Sequence, residues 1–93
     1  MKLTHVAGKK TADLKLFALS TCPWCKKTKA LLDSLGVEYS YADVDLLSGS
    51  DREEAMAIVK KWNPSASFPV IVFNNTKCII GFREPEIKEA LGL

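Results

Sequence analysis

The segment Cys22-Pro23-Trp24-Cys25 sets two thiols three residues apart, close enough to be joined by a bridge. A pair at this spacing can cycle between dithiol and disulfide, or supply half of a tetrahedral zinc site. The zinc alternative needs two more ligands, for which the candidates are Cys78 and His5, both distant in sequence. Where such a pair opens a helix, the positive end of the helix stabilises a thiolate at the first sulfur, the attacking species in thiol-disulfide exchange. Cys22 is then the expected nucleophile. Cys25, one turn further along and more buried, is the expected resolving thiol, which releases the second half of a bound disulfide. Pro23 stiffens the intervening pair and removes one donor to the thiolate. Trp24 adds an aromatic surface beside the reacting sulfur.

A second feature is Phe68-Pro69 at the entrance to an apolar run. Proline cannot donate to a strand ladder, and an X-Pro bond in a tight turn can be cis. We expect a cis bond there, with the main chain of Phe68 open to an extended substrate backbone; the alternative is an ordinary strand-entry proline. Cys78 falls within an apolar strand, where a buried structural thiol is expected. His5 has no evident partner.

The elements that must position these residues follow from the pattern. Leu14 to Leu19 is nearly all apolar, as a central strand covered on both faces would be. Ser20-Thr21 offers a capping environment, Pro23 suits a first helical turn, and Thr28, Leu31, Leu32 and Leu35 follow helical spacing up to Gly36. The spacing predicts a helix over 23–35. Alternation from Glu38 to Val44 predicts a second strand, so the strand-helix-strand unit should be parallel with a right-handed crossover. Ser50 and Glu53 form a capping-box pattern ahead of a second amphipathic helix ending near Asn63-Pro64. Val70–Phe73 and Lys77–Ile80, joined by Asn74-Asn75, predict a hairpin. Residues 84–91 close the chain as a helix, and residues 1–13 read as an extension that is either a loose tail or an extra strand.

Composition narrows the function classes. A chain of 93 residues supports one core, and 47% hydrophobic against 26% charged residues is ordinary for a globular domain. No apolar run approaches the roughly 20 residues of a membrane-spanning helix, and the N-terminus lacks signal-peptide character. The expectation is a cytoplasmic protein with no membrane association. Three cysteines cannot build the multi-bridge framework of a small secreted domain. A formal charge of +2 from 13 basic and 11 acidic residues gives no reason to expect nucleic acid as a partner.

The order strand, Cys-Pro-Trp-Cys, helix, strand, helix, Phe-Pro, hairpin, helix resembles the glutaredoxin family over residues 14–91. The resemblance implies an α/β domain spanning 14–93 with the thioredoxin fold: a central mixed four-stranded sheet, βαβ then ββα, flanked by about three helices. It also implies a dithiol oxidoreductase acting on protein disulfides or glutathione mixed disulfides, with no bound cofactor or metal, as a monomer. The substrate groove it implies is bounded by Cys22, Pro23, Trp24, Ser67, Phe68, Pro69, Gly81, Phe82 and Arg83. Glutaredoxins usually carry a lysine three residues before the first cysteine and a Gly-Gly-X-Asp segment after the hairpin. This chain has Leu19 and Gly81-Phe82-Arg83-Glu84. These changes remove polar groups that would meet the charged ends of glutathione, with Lys26 and Arg83 as candidate replacements. Gly81-Phe82-Arg83 is instead similar to the Gly-Phe-Arg-Pro stretch of glutaredoxin-like redoxins that serve ribonucleotide reductase. The electron donor is thus expected to be glutathione or a flavoprotein of the thioredoxin-reductase type. Two alternatives stand beside this reading: an iron-sulfur carrier in which Cys22 ligates a cluster at a dimer interface, and a non-catalytic metal-binding or structural module.

Overall fold

The computed structural model describes residues 3–93, so the first two residues of the expected 1–13 extension lie outside it. The elements, in chain order, are β1 (Thr4–Val6), β2 (Leu14–Ala18), α1 (Pro23–Leu35), β3 (Tyr39–Asp43), a single 3-10 turn (Val44–Leu46), α2 (Gly49–Trp62), β4 (Val70–Phe73), β5 (Lys77–Ile80) and α3 (Glu84–Ala90). The described sheet has five strands in the order β1-β3-β2-β4-β5. β2 runs parallel to β3 and antiparallel to β4, and β4 and β5 form the hairpin.

The four strands read from the pattern are therefore present, and β1 is a fifth, antiparallel to β3 with Thr4 opposite Tyr41 and Val6 opposite Tyr39. It was hard to see because it is three residues long and largely exposed, so it carries almost no alternation signal. Behind it the chain is anchored by the amide of Lys9 donating to the carbonyl of Gly36 at 2.8 Å and the amide of Glu38 donating to the carbonyl of Lys9 at 2.9 Å. His5 also gains a neighbour just ahead of β3: its Nε2 stands 3.3 Å from the Glu38 carboxylate.

Two apolar layers hold the sheet. On one face Leu14, Leu16, Ala18, Ile71, Phe73 and Ile79 pack with Leu31 and Leu32 of α1 and Ile87 of α3. On the other, Phe17, Ala42, Val70 and Val72 meet Ala55 and Val59 of α2. Alternation along β2 sends Leu16 and Phe17, both fully buried, into opposite layers. Complete burial of a side chain of this size is worth on the order of 1.5–3 kcal/mol, so α1 is fixed chiefly by Leu31, Leu32 and Thr28 rather than by its own propensity.

One local expectation fails in an instructive way. Ser48, not Ser50, precedes α2, and it makes no side-chain capping bond, so the capping box is not used. Ser50 is already helical because Gly49, at φ 58°, turns the chain in earlier than the Ser-Glu spacing suggests. The helix end behaves as read: Gly36, at φ 67°, closes α1 with its amide on the carbonyl of Asp33.

Gly8 is a tight point. A Cβ there would lie 2.6 Å from the Val37 carbonyl carbon and 2.7 Å from the Gly36 oxygen, both backbone atoms that cannot swing aside. Gly8→Ala should therefore destabilise the domain by ~1–3 kcal/mol, the range for overpacked sites, read as a lower urea midpoint. An unchanged midpoint would mean that the segment before β2 is not docked on the α1–β3 connection.

Candidate active site

β2 ends at Ala18 inside the sheet, and the chain turns through Leu19–Thr21 to start α1 at Pro23. The capping role expected of Ser20-Thr21 falls instead to Cys22. It adopts an extended conformation at φ −82° and ψ 117°, and its Sγ accepts the amide hydrogen of Cys25 at 3.2 Å. The sulfur thus occupies the position that a serine or aspartate oxygen fills at other helix starts, where the free N–H groups and the positive end of the helix point. Pro23 fits because no carbonyl awaits its missing N–H.

The two thiols are free and unequally exposed: Cys22 is half-buried and Cys25 is fully buried beneath it. Burial pushes the Cys25 thiol up from its ordinary value of 9.0 to about 12, helped by its hydrogen-bond interaction with Cys22. The charge of Lys29, one turn on, pulls the other way. Lys29 is itself held half-buried by Asp43 at the end of β3, 2.8 Å from its carboxylate, with its ammonium over the Tyr41 ring.

Ser20 has a different task. Its amide donates to one Asp45 carboxylate oxygen at 2.8 Å and its hydroxyl to the other, tying the turn before Cys22 to the 3-10 turn after β3. Hydrogen bonds from the Ser20 hydroxyl and amide hold the Asp45 carboxyl below the usual carboxylate range. Asp45 carries no signal in the sequence beyond being an acidic residue just past a strand end. Asn63, almost wholly buried at the end of α2, donates from its side-chain amide to the Ser67 carbonyl at 3.0 Å and the Ser67 hydroxyl at 2.9 Å, while its own oxygen accepts from Ser65. Ser67 is therefore engaged with α2 rather than lining the groove.

The Phe68-Pro69 peptide bond is cis, as expected. Pro69 is fully buried, and its carbonyl accepts from the Gly81 amide at 2.8 Å, which joins the entrance of β4 to the turn after β5. Next to these lies a groove of about 380 Å³ lined by Trp24, Phe68, Ile80, Gly81, Phe82 and Arg83. Trp24, 55% exposed, stacks on Phe82 with ring centres 6.1 Å apart and planes 24° apart. The tertiary structure thus gathers five of the expected groove residues and adds Ile80. A second depression, of about 360 Å³, opens over α2 between Leu3, Lys15 and Trp62 and contains no cysteine.

Cys78 points away from the pair, half-buried on the α2 side with its sulfur 3.8 Å from the Trp62 carbonyl. Among the described residues, no group of three or more His, Cys, Asp or Glu side chains could hold a metal ion, so Cys78 and His5 do not complete a zinc site with the pair.

The glutaredoxin family model matches residues 14–79, more than half of the chain. The chain belongs to the glutaredoxin family. A glutaredoxin-like 8.6 kDa protein in the rubredoxin operon of Clostridium pasteurianum is 32% identical over 78 residues, which is 84% of this chain and 96% of that protein. Among solved structures, the glutaredoxin of Methanosarcina mazei Go1 superposes with a TM-score of 0.92 at 47% identity, over all of this chain and 90% of that one. The methanoredoxin of Methanosarcina acetivorans gives 0.93 at 45% identity, over all of this chain and 97% of that one. With its close cysteine pair the chain is a thiol-disulfide oxidoreductase of the thioredoxin-like fold. No helix among the described residues is long and apolar enough to cross a membrane.

The Cys25 environment predicts a pH dependence. Between pH 9 and about 12 the unfolded chain releases the Cys25 proton while the folded chain keeps it, so the reduced protein loses stability as pH rises through that window. Cys25→Ala should flatten this decline in chemical denaturation followed from pH 8 to 11. A slope unaltered by the substitution would mean that Cys25 ionises as easily folded as unfolded.

Proposed function

We propose that the protein reduces protein disulfides or glutathione mixed disulfides by dithiol exchange, with Cys22 as nucleophile and Cys25 as resolving thiol. The observation that carries this assignment is the unequal pair at one helix start: an accessible sulfur receiving an N–H, and a buried sulfur one turn below. A substrate disulfide meets Cys22 first. Its sulfur bonds to one substrate sulfur and expels the other as a thiolate, which takes up a proton. Cys25 then gives up its proton, bonds to Cys22 and releases the second substrate thiol, leaving a Cys22–Cys25 disulfide. The burial that keeps Cys25 protonated delays this second attack until the mixed disulfide has formed.

Around this pair, Pro23 holds the first turn and Trp24, Phe68, Gly81, Phe82 and Arg83 form the groove in which the substrate lies. Ser67 and Pro69 act from behind: Ser67 through Asn63 and Pro69 through Gly81 fix the segment presenting Phe68, whose main chain is the pairing edge for an extended substrate. No prosthetic group enters this cycle. The oxidised pair is recharged by glutathione or by a thioredoxin-reductase-type flavoprotein, and the protein works as a monomeric electron carrier of the cytoplasm, its 14–93 domain carrying the chemistry and Thr4–Val6 adding a strand to the sheet.

Equilibration across a glutathione redox series, followed by alkylation and peptide mass spectrometry, tests the cycle. The expected result is a reversible Cys22–Cys25 disulfide with a potential between about −150 and −300 mV. Cys22→Ser should abolish disulfide reduction, whereas Cys25→Ser should accumulate a stable mixed disulfide at Cys22. A Cys22→Ser variant that retains activity, or a pair that never oxidises, sinks the assignment.

A further inference from the structure

The groove walled by Trp24, two residues on from Cys22, has charged side chains at its edge as well as an apolar lining. The first turn of α1 holds no acidic residue, and Lys26 and Lys27 follow directly after Cys25, both exposed. Lys27 places its ammonium 4.5 Å from the centre of the Trp24 ring, so a cation is held against the same aromatic surface that stacks on Phe82. Among the described residues neither lysine forms an ion pair with a carboxylate. Across the groove the position is different. Arg83 donates from Nε to the Ile80 carbonyl at 3.1 Å, and its Nη1 stands 3.4 Å from Glu86, so its charge is partly answered within the chain. Glu84 is likewise met by Lys88 at 3.2 Å. On α1 the positive pair therefore has no carboxylate partner among the described residues, while the carboxylate nearest the turn before Cys22, Asp45, is taken up by the amide and hydroxyl of Ser20.

The apolar walls, Trp24, Phe68, Ile80 and Phe82, offer an open slot that a side chain of a docked segment would fill. Trp24, at 55% exposure, is one of the few large apolar side chains left in solvent, and it lies within two residues of the reactive sulfur. Apolar contact favours many partners about equally, whereas uncompensated charge discriminates among them by steering the encounter and rejecting like charge.

Resting on the dithiol reading above, we infer that the preferred substrate is a polypeptide disulfide that sets an apolar side chain beside its reacting cysteine and carboxylates toward Lys26 and Lys27. The apolar side chain enters the slot between Trp24, Phe82 and Phe68. The carboxylates pair with the two lysines while Cys22 bonds to the nearer substrate sulfur. The exchange moves two electrons: the protein dithiol becomes the Cys22–Cys25 disulfide, and the substrate disulfide becomes two thiols that carry away the two protons.

Three matched cyclic peptides test this, each closed by one disulfide. The first carries leucine beside a cysteine and two flanking aspartates, the second replaces the aspartates with lysines, and the third keeps the aspartates but replaces leucine with serine. Single-turnover reduction by the fully reduced protein is quenched with acid and read by mass spectrometry. At low ionic strength the first peptide should react about tenfold faster than the second, the lower end of what steering achieves. The gap should close in about 1 M salt, where the screening length falls to about 3 Å. The third peptide should react several-fold more slowly than the first at any salt. Lys26→Glu combined with Lys27→Glu should reverse the order of the first two peptides, with circular dichroism confirming that the variant is folded. Equal rates for the aspartate and lysine peptides, an order the double variant does not change, or faster reduction of glutathione disulfide than of the first peptide would overturn the inference and leave the exchange chemistry standing. If no peptide is reduced and no Cys22–Cys25 disulfide forms, the underlying dithiol reading falls with it.

Discussion

The arrangement of the whole molecule turns on one contact, the amide of Cys25 donating to the sulfur of Cys22 at the first turn of α1. For that contact to exist the helix must begin at Pro23, and its first turn must stand at the end of a buried strand. Its inner face must also sink far enough into the core that Cys25 is covered while Cys22 is not. The apolar layer meets the last condition, because Thr28, Leu31 and Leu32 pull α1 onto the sheet and carry Cys25 down with them. One sulfur therefore sits where helix N–H groups converge, and the other sits where a charge is costly. The difference between two chemically identical side chains is produced by a helix start and a burial gradient.

A helix start of this kind is useful only if the loops around it stay in place, and three contacts hold them. Asp45 grips Ser20 from beyond β3, Asn63 grips Ser67 from the end of α2, and the Pro69 carbonyl takes the amide of Gly81 from beyond β5. Each joins a loop at the reactive end to the end of a neighbouring element. The rigidity of the site is thus borrowed from the sheet, as expected when binding residues sit on loops carried by a packed scaffold.

In the proposed cycle, reaction chemistry and partner choice fall to different residues. The cysteine pair and the elements under it account for disulfide exchange. The groove walls, Trp24 stacked on Phe82 with Ile80 and Phe68 alongside, say nothing about exchange but set what can lie next to it.

Much of this was legible in the sequence. Cys-X-X-Cys after an apolar strand fixed the position of the reactive pair, and periodicity placed α1 at Pro23–Leu35 and the hairpin at Val70–Phe73 and Lys77–Ile80, because burial on one face is repeated at the spacing of the element itself. Phe68-Pro69 was readable because proline restricts its own backbone. The rest depended on tertiary contacts between residues distant in the chain. The strand Thr4–Val6 exists only because β3 offers it an edge. Cys22 caps α1, which starts at Pro23, while Ser20 is engaged by Asp45, 25 residues away. The stacking of Trp24 on Phe82 is likewise a meeting that no local pattern records. Local patterns report what a residue does within its own helix or strand; which side chains meet across the groove was decided by how the sheet brings those elements together.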